Sequence, residues 1–255
     1  MTMLYRYDGS FEGFLCAVFC AFERRDRSAF IEAESVMSLR WCEEMTVATE
    51  PDKARRVTEG LRRLSPRLPG TVYLAWLSRM DGIDDALLGF IRLGFDRRRD
   101  PQHMLYNGSA AKVMDAARKV GGEQHRFLQF LRFTKALPDL YVADIAPAYD
   151  VLALIVPHFA ARFADMNFII RDKGRRKAAL WDRTRWQMVE GDSELMSLPL
   201  PEDGEIEALW RRYFESVAIP ERKNRRLQQR FVPLRFRENM TEFDKGAHRA
   251  AGVDG

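Results

Sequence analysis

His158 and Arg162 stand four residues apart in "PHFAARF", with Asp165 close behind. On a helix this spacing puts them on one face, turned away from Phe159 and Phe163. A neutral imidazole beside a guanidinium can hold an anion or move a proton, and the same pattern also suits a histidine at the edge of a core. "HRFLQFLRF" (125–133) poses the question again, setting His125, Arg126 and Arg132 among phenylalanines and leucines. As a strand, it puts Phe127, Gln129, Leu131 and Phe133 on one face and Arg126, Leu128, Phe130 and Arg132 on the other. Arginines at both ends of an apolar centre suit a single-strand binder that couples phosphate contacts to base stacking. They equally suit an inner strand whose ends reach solvent.

Two segments are densely basic. Residues 162–185 carry a local charge of +5, through Arg162, Arg171, Lys173, Arg175, Arg176, Lys177, Arg183 and Arg185. Residues 211–237 carry +7. Each exceeds the +4 of the whole chain, so the remainder is acidic and the charge is polarised. Arg222, Arg225, Arg226 and Arg230 recur near helical spacing and would form a stripe fit for a phosphate backbone. The alternative is a solvated face paired with acidic helices. Of the 41 basic residues only eight are lysine, and arginine forks onto phosphate and stacks on flat rings.

Several classes find no support. There is no phosphate-binding glycine loop, no dinucleotide fingerprint, no HExxH and no GxSxG. Asp84–Asp85 and Glu43–Glu44 are neighbours that point apart on a helix. The three cysteines fit neither a disulfide framework nor a CxxxCxxC cluster motif, so no metal and no cofactor are implied. The opening "MTMLYRYDGS" has no basic segment leading into an apolar one, and "FLCAVFCAF" is too short for a membrane span. The expectation is a cytoplasmic protein with no membrane partner.

The elements that would position these residues follow from periodicity. "LYRYDG" predicts a short strand. Phe11, Phe14, Leu15, Val18, Phe19 and Phe22 make one helical face behind Ser10 as N-cap. Helices are expected at 50–64, in "TVYLAWLSRM", in "DDALLGFIRLGFD", and at 107–122 with the Gly121–Gly122 pair as its stop. "HRFLQFLRF" and "DLYVADIAP" then predict a hairpin across "TKALP". A helix follows over 151–165, starting or kinking at Pro157, and a second hairpin over 167–182. The fold class is α+β: a helical N-terminal half, then a small antiparallel sheet of two hairpins around a helix, covered by helices. The expected organisation is one domain over 1–245, helix-rich to 122, hairpin–helix–hairpin over 123–190, helices over 203–243, and a flexible tail at 246–255.

"YRYDGSFEGFLCAVFCAFE", "HRFLQFLRF", "PHFAARFADMNFIIRDKGRRKAALWD", "LWRRYFESVAIPERKNRRLQQRFVPLRF" and "MTEF" together resemble a bacterial family of uncharacterised DNA-metabolism or DNA-repair proteins, over roughly residues 3–243. Members of that family are encoded beside a radical SAM protein and occur fused to, or near, uracil-DNA-glycosylase-like domains. The resemblance carries over His125, Arg126, Phe127, Arg132, His158, Phe159, Arg162, Asp172, Arg176, Arg222, Asn224 and Pro233 as motif positions. It implies DNA as partner, a radical SAM protein as companion, and a uracil-DNA-glycosylase-like protein as a further one.

The leading expectation is therefore a DNA-binding accessory protein in repair or base modification. The 222–230 helix and the 171–177 hairpin would hold the phosphodiester backbone, and His158, Arg162 and His125 would line a selective pocket. One alternative is a nuclease or base-processing enzyme using His158 or His125 with Asp172. The other is a protein-interaction scaffold.

Overall fold

The computed structural model describes residues 2–191 and Met196. The chain divides into two compact units, Met1–Gly122 and a second that begins at Glu123. The fold is mixed α+β. Among the described residues no helix is long and apolar enough to cross a membrane. The helices expected at 203–243, the tail at 246–255, and Arg222, Arg225, Arg226 and Arg230 lie outside the described residues.

In the first unit, β1 (Met3–Tyr7) is central to a three-stranded parallel sheet, between β2 (Phe30–Ala33) and β3 (Glu43–Thr46). Leu4, Tyr5 and Tyr7 are fully buried, as a central strand requires. α1 (Phe11–Glu23) crosses from β1 to β2. Ser10 caps it as expected, accepting from the Gly13 amide at 2.9 Å, and Asp8 in turn holds Ser10. α2 (Pro51–Leu64), α3 (Leu68–Leu77) and α4 (Ile83–Arg97) complete the unit. α1 packs on β1 and β2, and α4 on β2. The helices sit where periodicity put them, but β2 and β3 interrupt a stretch that reads as mostly helical. Each is only four residues long, too short to show an alternation.

α5 (Gly108–Phe130) corrects the reading of two motifs. It does not stop at Gly121–Gly122. Neither glycine needs a left-handed backbone, and a Cβ on either would meet open space. "HRFLQF" is consequently the last turns of a helix and not a strand. Phe127 in its last turns and Leu131 just past its end, spaced i, i+4, are both buried.

The second unit's strands are β4 (Thr134–Leu137), β5 (Leu140–Ile145), β6 (Asn167–Asp172), β7 (Lys177–Trp181) and β8 (Trp186–Glu190), in that spatial order. The first hairpin is real but uses "TKAL" as its first strand, with a register irregularity between Lys135 and Leu137. The second hairpin, β6–β7, is as expected. β5 and β6 pair in parallel, because α6 (Leu152–Arg162) crosses between them, so the sheet is mixed. α6 starts well before Pro157 and runs through it. The ring lies on the exposed face, where the carbonyl deprived of a donor can meet water. Val142, Ile169 and Ala178 form a buried cluster in this unit.

Candidate functional site

The end of α5, the residues after it, β5 and the end of α6 enclose a cavity of about 370 Å³ in the second unit. Phe133 follows the last turn of α5 and is ringed by aromatic edges. Its centroid lies 5.3 Å from Phe159, 5.4 Å from Phe163 and 5.3 Å from Phe168, all edge to face. Such contacts fix ring planes as well as filling space. Phe159 on α6 and Phe163, its C-cap residue four positions on, stack on each other at 6.2 Å. Tyr141 of β5 also lines the cavity, and it makes no ring contact or side-chain hydrogen bond among the described residues. Its ring is half-buried and open to a ligand in the cavity.

Arg132 and Arg162 both line this cavity. Arg132 turns back on the end of α5, its Nη1 donating to the carbonyls of Gln129 and Leu131 at 3.3 Å each. The Gln129 carbonyl is among those a helix end leaves without amide donors. Arg162 is exposed, with its guanidinium 5.7 Å from the Phe163 ring centroid. Two guanidiniums thus border an aromatic-walled cavity whose floor is rigidly packed.

The other expected site residues go elsewhere. His125 is exposed on α5 and bonded to Gln129 at 2.9 Å; Arg126 beside it is exposed too. His158 is exposed, its ring edge-on to Phe159 at 5.3 Å. Asp172 is fully buried and staples its own turn, accepting from the Arg175 amide and from Arg175 Nη1, both at 3.1 Å. No bond among the described residues joins Asp172 to either histidine, and neither histidine lines the cavity.

Arg171 is 3% exposed and makes a forked pair with Asp144, Nε to Oδ1 at 2.6 Å and Nη2 to Oδ2 at 3.0 Å. The two residues are direct neighbours across the parallel β5–β6 ladder. Lys173 reaches the same carboxylate at 2.6 Å. Arg175 adds bonds to the carbonyls of Pro147 at 2.9 Å and Ala148 at 2.7 Å. Lys177 pairs with Asp150 and Glu190; burial pulls its pKa down, and these two carboxylates more than offset that, leaving it raised. Much of the basic hairpin is thus internally neutralised, and only Arg176 of its three arginines is exposed. Sequence counting could not see this, because the balancing acids Asp144 and Asp150 lie outside the basic segment. The aromatic lining was half legible, through the Phe159/Phe163 stripe; Tyr141 sits in a strand that reads only as core.

Among curated proteins none matches the sequence. A family model described as a domain of unknown function, DUF4130, matches residues 81–242, a stretch that contains every residue lining the cavity. The chain belongs to the DUF4130 family.

Proposed function

We propose that the second unit binds single-stranded nucleic acid by taking a base into the aromatic cavity while Arg132 and Arg162 hold the adjoining phosphates. The observation that carries this reading is the pairing of two guanidiniums with an unpartnered tyrosine face around one cavity. A base stacks on an aromatic ring regardless of sequence, and the guanidiniums add a salt-dependent attraction. The setting that fits such a module is the one the family resemblance suggested: a cytoplasmic accessory to DNA repair or base modification, beside a radical SAM protein and a uracil-DNA-glycosylase-like partner. The burial of Asp172 in its own turn argues against its serving as a catalytic partner for His158 or His125.

The test is fluorescence anisotropy with labelled oligothymidine, duplex and uracil-containing DNA over a salt series. Single strands are expected to bind most tightly. Arg132→Glu with Arg162→Glu should lower the slope of log K on log salt by about 1.4, since each phosphate contact on a single strand contributes about 0.7. Tyr141→Ala should weaken binding by about 1–3 kcal/mol. Binding that ignores both changes, or no binding at low salt, would overturn the assignment.

A further inference from the structure

The first unit has its own cavity, about 320 Å³, outside the carboxyl ends of β1 and β2. That edge of a parallel sheet is where open α/β sheets place their ligands. Tyr7 ends β1, Ala33 ends β2, and the first turn of α4 brings Asp84 and Asp85 to the same hollow. One wall is the loop after β2, which is held firmly. Arg6 donates to the carbonyls of Glu34 at 2.9 Å and Val36 at 2.8 Å. Arg40 bridges Glu32 at 2.7 Å and Asp85 at 2.6 Å while lying over the Phe30 ring.

The carboxylates are not equivalent. Glu32 and Asp85 both have Arg40, and Asp85 also accepts the Ile31 amide at 3.1 Å. Asp84 has no cation within ion-pair distance among the described residues. Its only hydrogen bond there comes from Tyr7 Oη, 2.8 Å from Oδ2, and Tyr7 Oη in turn accepts from Trp76 Nε1 at 3.2 Å. Oδ1 of this cavity-lining residue has no hydrogen-bond partner among the described residues. Arg79 also lines the cavity, but it stacks on Trp76 at 3.7 Å and donates to the Gly9 carbonyl at 3.1 Å. We propose that this cavity is a binding site for a small organic cation, an ammonium or guanidinium compound, whose charged end takes the place of Asp84's missing counter-ion and donates to Oδ1.

The charge of the lining agrees. Glu32, Asp81, Asp84 and Asp85 outnumber Arg40 and Arg79, so an anion would meet net repulsion even at the start of a helix. Burial raises the Asp84 carboxyl to about 6; the charges of Asp85 and Glu32 add to this, and the Tyr7 hydrogen bond and Arg79 oppose it. A bound cation reverses that balance and favours the ionised form. Affinity must therefore rise with pH through about 6.

The experiment is calorimetric titration of the full chain with agmatine and with butylamine, at pH 5.0 and 7.5. One equivalent of agmatine is expected to bind about 10-fold more tightly at pH 7.5, since a carboxyl of pKa about 6 is mostly protonated at pH 5.0. Asp84→Asn, which can still accept from Tyr7, should lose both the binding and its pH dependence. Ser35→Tyr at the mouth should lose the binding by filling the cavity, and it serves if Asp84→Asn fails to fold. Absence of saturable binding up to 10 mM of either probe would overturn the proposal. So would pH-independent binding, retention of binding in both variants, or inorganic phosphate binding in place of the amines.

Discussion

Arg171→Met separates a structural arginine from a nucleic-acid contact. The guanidinium is 3% exposed and forks onto an Asp144 side chain that is 7% exposed. Deleting one partner of such a pair costs about 3–5 kcal/mol, because the other charge is left buried. Lys173 remains 2.6 Å from Asp144 and, being 59% exposed, can follow the carboxylate, so the expected loss is at the low end, about 3 kcal/mol. With a urea m-value of about 2 kcal/mol/M, the midpoint should fall by about 1.5 M. Urea titrations followed by far-UV circular dichroism measure this directly. Replacing both partners, Arg171→Met with Asp144→Leu, should restore most of the loss, since well-packed apolar residues substitute for a buried pair at little cost. Oligothymidine affinity, measured without denaturant, should stay within twofold of wild type. A midpoint unchanged by Arg171→Met, or a double variant no better than the single, would refute the electrostatic argument. A fall in DNA affinity at unchanged stability would return Arg171 to the binding surface.

The folded state holds Asp84's proton at about 6 against an ordinary 3.8, so its contribution to stability is greatest below about pH 4 and falls away as pH rises to about 6. Two pKa units correspond to about 3 kcal/mol, so Asp84→Asn should be the more stable protein at pH 7.5 by up to that amount in urea titrations, and lose its advantage at pH 4. Phe133→Ala removes the ring on which three others close and should cost about 3–5 kcal/mol in thermal or urea unfolding. Gly13→Ala would drive a Cβ into the Asp8 carboxylate beneath the cap of α1, with a loss of about 1–3 kcal/mol in the same assay. Gly121→Ala should do the opposite, raising stability by about 1 kcal/mol, because the added methyl meets nothing and the helix gains propensity.

α1 was legible because it carries a full apolar stripe behind a capping serine, and the β6–β7 hairpin because two apolar runs flank a glycine turn. "HRFLQFLRF" was not, for a definite reason. Phe127 and Leu131 satisfy both a two-residue alternation and an i, i+4 stripe, and nine residues do not separate the periods. The helix answer came from farther back, in Ala110, Val113, Ala116 and Val120, which continue the same buried stripe through two glycines that look like a stop. Of the candidate site, Arg132 and Arg162 were each expected as binding residues, but that they line one cavity depends on the chain turning after Phe130. The first unit's cavity was invisible: Tyr7 and Asp84 are 77 positions apart, and nothing local to either announces the other.

Among the described residues β4 is the end strand of the second sheet, and its pairing with β5 is irregular between Lys135 and Leu137. An outermost strand offers its unused amides and carbonyls to any passing extended chain, and an unbroken one seeds fibres. Here the ladder is only four residues long, out of step part-way, and carries an exposed lysine at its middle. A stray strand docking on it would find few bonds in register and a charge to desolvate. Among the described residues, the short, irregular ladder and the lysine disfavour strand-on-strand association through β4.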